Sequence, residues 1–210
     1  MQKSYKTLAH DGEVEIVINK SRFIGRAFRC ESEEQAQGIL EQLRKKYWDA
    51  THNCYAYVFG DNFQISRCSD DGEPSGTAGV PILEVLRQQE LTGLLVVVTR
   101  YFGGILLGAG GLVRAYSKSC AKAIENAGVV TMKQTAVYEM ECDYAFWGKL
   151  ENYLRGCGGR TADTRFAQSV TVTLNIPAEL SESFEKECID MSNARVAPRK
   201  TGELFMEWDE

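Results

Sequence analysis

The chain has no long apolar run. Its longest unbroken aliphatic stretch is residues 94–98, and even the uncharged stretch 101–113 falls short of the roughly 18 residues a membrane span requires. Residues 1–20 carry charges at short intervals and lack the apolar core of a signal peptide, so a cytoplasmic protein without membrane attachment is expected. No CxxC pair occurs, and the seven cysteines are an odd number, which argues for free thiols and against a disulfide framework. There is no excess of positive charge either: 24 Lys and Arg stand against 29 Asp and Glu, net −5. A nucleic-acid contact would therefore have to come from a local cluster of Lys and Arg. The acidity is uneven, with 15 basic and 15 acidic residues in 1–132 but 9 and 14 in 133–210. No Pro/Gly/Ser-rich linker separates these two parts, so two domains, 1–132 and 133–210, are expected to pack together.

What is present is an ordinary globular composition of 210 residues, 44% hydrophobic and 25% charged, which excludes wholesale disorder. Val14, Ile16 and Ile18 alternate with Glu13, Glu15 and Val17, a strand pattern, and residues 21–30 suit an antiparallel partner across an Asn19-Lys20 turn. Ser32 with Gln35 forms a capping box ahead of a helix that buries Ala36, Ile39, Leu40, Leu43 and Tyr47. Residues 52–59 and 63–69 read as a hairpin centred on Asp61. Pro81 opens a short helix with Ile82, Val85 and Leu86 inward, and residues 94–99 read as a strand buried on both faces. After a glycine-rich loop, a helix buries Val113, Tyr116, Cys120, Ala123, Ile124 and Ala127 and stops at Gly128. From Thr135 a second unit reads strand, helix (Asp143 cap; Trp147, Leu150 and Leu154 inward), strands 160–166 and 169–176, a helix after Pro177, and a strand near 202–208. That β-α-β-β-α-β order is the ferredoxin-like one, and the whole chain is α+β.

Four groups of residues suggest chemistry. Asp70, Asp71 and Glu73 lie within four positions at a strand end, where carboxylates can hold Mg²⁺ or act as acid and base; Asp and Gly equally suit a solvated turn. In residues 99–111, glycines between a strand and a helix allow backbone N–H groups to approach an anion, with Arg100 reinforcing them. Arg100, Tyr101, Gly103, Gly104, Gly108 and Gly110 are thus candidate anion or nucleic-acid contacts, although the same glycines also suit close packing. The segment is neither a Walker A loop, lacking its GK[ST] ending, nor a dinucleotide fingerprint, since Val113 replaces the third glycine. Arg114, Lys118 and Lys122 recur every four residues opposite the helix's apolar stripe and form a short basic ridge, or simply a solvated helix face. Finally, hairpin pairing about Asp61 sets Cys54 opposite Cys68, with His52 on the same face as Cys54. Buried structural thiols explain that pair better than catalysis does.

Thr51-His52-Asn53-Cys54-Tyr55-Ala56-Tyr57, Ser69-Asp70-Asp71-Gly72-Glu73-Pro74 and Val98-Thr99-Arg100-Tyr101-Phe102-Gly103-Gly104-Ile105-Leu106-Leu107-Gly108 resemble the signature segments of the IMPACT/YigZ family. The resemblance spans essentially the whole chain. It implies a ribosomal-protein-like β/α sandwich for the first domain, related to a domain of elongation factor G. It also implies a second domain like the ferredoxin-like domain at that factor's C-terminal end. Eukaryotic members regulate translation by competing for an activator of an initiation-factor kinase through an extra N-terminal domain; residues 1–12 are too few to replace it, so that role is not carried over. The expectation is a cytoplasmic, non-enzymatic factor binding RNA or the ribosome and tuning translation, with no cofactor. The rival is an enzyme acting on a small phosphorylated or nucleotide substrate, with a metal-binding acidic loop but no obvious nucleophile. A protein-binding adaptor is neither favoured nor contradicted.

Overall fold

The computed structural model describes residues 3–208. These form two compact units, residues 3–131 and Met132–Trp208. In the first, β1 (Ser4–Leu8) precedes β2 (Gly12–Ile18) and β3 (Ser21–Arg29), followed by α1 (Glu33–Lys46), β4 (His52–Phe59), β5 (Ile65–Ser69), α2 (Gly79–Gln88), β6 (Leu94–Tyr101) and α3 (Gly108–Ala127). Five strands make an antiparallel sheet in the order β2-β3-β6-β4-β5. The central strand β6 explains its own aliphatic run. Leu94, Val96 and Val98 enter the core under α2 and α3, while Leu95 and Val97 enter a second core with Ala36, Leu40 and Leu43 of α1. With helices on both faces, neither side of β6 can be polar.

Local chemistry sets most boundaries. Asn19 (φ 46°) and Lys20 (φ 63°) both take the left-handed conformation that a two-residue hairpin turn demands, and Ile18 pairs with Ser21 as expected. Ser32 Oγ accepts the Gln35 N–H, and the Gln35 side chain reaches back to the N–H of Glu31, one residue before the cap. Close approach of α3 to the sheet needs Gly25, where a Cβ would lie 2.6 Å from the Ser119 carbonyl oxygen.

Three expectations need correction. The hairpin pairs Tyr55 with Ser69 and Phe59 with Ile65, so its centre is Asn62, not Asp61. A single helical turn, Asp61–Phe63, occupies the bend, and Cys68 faces Ala56 while Cys54 does not face it. Second, α3 starts at Gly108, inside the expected glycine loop, and buries Leu112 and Ala115 whereas Val113 is exposed. Third, α2 begins at Gly79, two residues before Pro81, which sits in the first turn where its missing N–H costs nothing.

The second unit contains most of β7 (Val129–Cys142), then α4 (Tyr144–Cys157), β8 (Arg160–Phe166), β9 (Val170–Pro177), α5 (Ser181–Ser192) and β10 (Arg199–Trp208). Its strands lie in the order β10-β7-β9-β8, the arrangement expected of a ferredoxin-like βαββαβ unit. Ala136, Tyr138, Met140 and Cys142 alternate into its core opposite Val170, Val172, Leu174 and Ile176. Asp143 caps α4 through the Phe146 N–H at 2.7 Å, and Phe146 rather than Trp147 is fully buried. The unit boundary falls within β7, which begins at Val129, six residues before the strand start expected at Thr135. No helix among the described residues is long and apolar enough to cross a membrane.

Candidate functional site

Both motif loops of the first unit line one cavity of about 360 Å³: Glu73 and Pro74 come from the acidic loop, and Phe102, Leu106, Gly108 and Ala109 from the glycine-rich one. They meet because β4 and β6 are neighbours. His52 pairs with Arg100, so the loop after β5 and the loop after β6 emerge at the same end of the sheet.

The three acidic-loop residues have three different roles. Asp70 accepts N–H bonds from Gly76 (2.8 Å), Ala78 (3.0 Å) and Gly79 (2.8 Å), and so caps α2 across the loop. Burial raises its carboxyl, and the Gly76, Gly79 and Ala78 N–H groups outweigh that, leaving it below its ordinary value. Asp71 (φ 45°) accepts the Asn53 N–H at 2.6 Å. Glu73 turns inward, with its side chain only 3% exposed. Its Oε1 accepts from Arg100 (2.6 Å) and from the Tyr116 hydroxyl (2.7 Å), while His52 Nε2 lies 3.8 Å from Oε2. His52 is oriented by its Nδ1, which donates to the Asp71 carbonyl at 2.8 Å. No three His, Cys, Asp or Glu side chains among the described residues are grouped to hold a metal ion. The loop's carboxylates are instead engaged with backbone and Arg100.

Because a carboxylate with a lowered pKa stabilises the fold only while ionised, Asp70 contributes fully above its unfolded value of about 3.9. The contribution is lost as pH falls through the lower folded value. Asp70→Ala should cost about 2–3 kcal/mol at neutral pH, since buried N–H groups of Ala78 and Gly79 lose a charged acceptor. Urea titrations at pH 7 and pH 3 should show the gap between variant and wild type narrowing in acid. A constant gap would assign the loss to something other than the carboxylate.

The basic residues divide as sharply. Arg100 is 5% exposed and bound to Glu73 and, at 3.4 Å, to Ser21 Oγ, so it does not join the surface ridge expected of it. Lys122 pairs with Glu125. Arg114 and Lys118 remain exposed and without a carboxylate partner among the described residues. Tyr101 donates its hydroxyl to Asp49 at 3.0 Å, with Arg22 5.3 Å from its ring. Gly103 is a packing residue, as a Cβ there would come within 2.1 Å of the Lys20 backbone; Gly104 (φ +82°), Gly108 (φ +69°) and Gly110 face open space.

Cys54 is buried, donating to the Asp70 carbonyl (2.9 Å) and contacting the Tyr116 hydroxyl (3.4 Å). Burial pushes its thiol up to about 12, which leaves no thiolate for nucleophilic attack at neutral pH. Tyr116, Ser21 and Lys20 went unnoticed as site residues in the sequence. For Tyr116 a signal existed: a hydroxyl on an otherwise apolar helix stripe has to find a buried partner.

An α+β chain of two units, with two motif loops gathered around a buried Glu–Arg–Tyr cluster and the half-buried His52 beside it, is the class of protein these features define. The chain belongs to the IMPACT family: the model of the Impact N-terminal domain matches residues 19–124, and that of a domain of unknown function, DUF1949, matches residues 140–195. It is 43% identical over 204 residues to IMPACT family member YvyE of Bacillus subtilis, covering 97% of this chain and 94% of that one. IMPACT family member YigZ of Escherichia coli is 36% identical over 83% of this chain and 87% of its own. A crystal structure of a hypothetical protein, 32% identical, covers 96% of this chain and 99% of that one with a TM-score of 0.61. The Protein IMPACT homolog of Dictyostelium discoideum matches 44% of this chain and 28% of its own length, at 43% identity.

Proposed function

We propose that the protein is a cytoplasmic, non-enzymatic factor that binds structured RNA or the ribosome through its first unit and tunes translation. The observation that carries this reading is the pair Arg114 and Lys118, exposed, uncompensated and one turn apart on α3. Lys20 adds to it. Gly25 packs on Ser119 and the Phe23 ring meets Tyr116 at 5.4 Å, so the β2–β3 turn carrying Lys20 lies level with the first half of α3. The open backbone at Gly110, at the positive end of a 20-residue helix, favours phosphate beside them.

Such contacts follow the backbone of an RNA and read little sequence. Replacing Arg114 and Lys118 together by Ala should weaken binding to unrelated RNAs by similar factors, and should lower the log–log salt slope by about one to two. Filter binding or fluorescence anisotropy between 50 and 300 mM salt measures both. An unchanged slope would remove the ridge from the interface.

A further inference from the structure

The cavity under the glycine-rich loop has apolar walls (Pro74, Phe102, Leu106, Leu112) and two acceptors at its base. One is Glu73 Oε2. Arg100 and Tyr116 both bind Oε1, and no donor among the described residues lies within hydrogen-bond distance of Oε2. Among the described residues, the sealed side-chain atoms without a partner are Arg100 Nε and Ser181 Oγ; Oε2 is not one of them, so it is not sealed, and Glu73 lines the cavity. The other acceptor is His52 Nε2. A carbonyl only accepts, so the 2.8 Å bond to Asp71 O puts the proton on Nδ1 and leaves Nε2 of the neutral ring with a free lone pair. The two atoms are 3.8 Å apart, an ion pair when the ring is protonated and two adjacent acceptors when it is neutral.

We infer that this cavity binds a guanine base, carried by a free nucleotide or by an unpaired residue of RNA, with Glu73 Oε2 and His52 Nε2 accepting from its N1–H and N2–H groups and Phe102 as its aromatic wall. Two adjacent acceptors call for two adjacent donors on a flat ligand. Guanine has them side by side on its Watson–Crick edge. Adenine and cytosine each present one amino donor next to a ring nitrogen that only accepts, which would face an acceptor of the site. Uracil flanks its single N3–H with two carbonyls. Leaving a buried acceptor unpaired is what makes such a site selective. The volume, about 360 Å³, is at the lower end of the ~300–1,000 Å³ range of small-ligand sites and suits one base with its sugar at the mouth. Phe102 is 45% exposed at that rim, available for contact with a base. The inference goes beyond the RNA reading and does not need it. Gly108, Ala109 and Leu112 line the cavity from one side of α3, and Arg114 and Lys118 lie about half a helical turn round from them.

Calorimetric titration of the full chain with GMP, AMP, CMP and UMP tests it. GMP should bind at least tenfold more tightly than the other three; equal affinities, or no GMP binding, would overturn the assignment. Phe102→Ala, at a half-exposed rim position, and His52→Leu should each weaken GMP about tenfold while thermal unfolding confirms that the fold persists. Unchanged affinity in both folded variants would place the nucleotide elsewhere and also overturn it. The source of the base is read from two single-stranded RNAs, one of uridines only and one with a single central guanosine. A tenfold gain for the second identifies RNA as the source, and no gain, with GMP still bound, identifies a free nucleotide. If neither RNA binds, the basic ridge fails while the guanine site stands on GMP alone.

Discussion

Arg100→Met is expected to destabilise the first unit by about 3–5 kcal/mol, because it strands the Glu73 carboxylate in a site where only 3% of its side chain is exposed. The guanidinium does more than neutralise. It bonds Glu73 Oε1 at 2.6 Å, reaches Ser21 Oγ at 3.4 Å and lies 5.3 Å from the Phe23 ring, so Met replaces its bulk but none of its polar contacts. Against a total stability of the usual 5–15 kcal/mol, the loss is a large fraction. The double variant Arg100→Met/Glu73→Leu should recover most of it, since exchanging a buried pair for apolar groups of similar size is often neutral, whereas breaking one is not. Urea denaturation of the two single variants and the double closes the cycle. A double variant no better than Arg100→Met would mean that the pair itself is not what stabilises this site.

The second large effect is expected at Gly103. A Cβ there would lie 2.1 Å from both the carbonyl carbon and oxygen of Lys20 and 2.5 Å from the Ser21 nitrogen. All of these are backbone atoms in a tight two-residue turn that cannot yield by a rotamer change. Gly103→Ala should therefore cost about 3 kcal/mol, the upper end of ordinary overpacking. At roughly 2–4 °C per kcal/mol for a chain of this size, that is a fall in Tm of about 10 °C. Gly104→Ala supplies the control. Its Cβ meets nothing within 4 Å, and only its φ of +82° is unfavourable, worth about 1 kcal/mol. Equal losses at the two neighbours would show that conformation, and not contact with the β2–β3 turn, governs the loop. The contrast also separates roles within one glycine cluster: Gly103 clamps the loop to the turn that carries Lys20, and Gly104 leaves backbone open to solvent.

Much of this protein was determined locally. The Ser32 and Asp143 caps, the Asn19-Lys20 turn, the alternation of β9 and the all-apolar β6 are written in neighbouring residues, because caps, turns and side-chain periodicity depend on contacts a few positions apart. The βαββαβ order of the second unit followed from the same signals. What tertiary structure decided is how polar residues are used. Asp70, Asp71 and Glu73 look alike in sequence, yet one caps α2, one holds the Asn53 backbone and one is buried with Arg100; Asp70 finds its partners 6 to 9 positions on, and those of Asp71 and Glu73 arrive from 18 to 43 positions away. The hairpin register was also beyond local reading. Asn62 (φ 52°) and Phe63 (φ 59°) both adopt left-handed backbone in the bend, and moving its centre by one residue moves Cys68 by two along Cys54's strand. Arg100 shows the same division at a single position. The strand pattern placed it just past a strand ending at Thr99, whereas β6 runs on to Tyr101 and includes it; whether its charge faces RNA or a buried carboxylate depends on which loops the sheet brings beside it, and strand order is a property of long-range pairing alone.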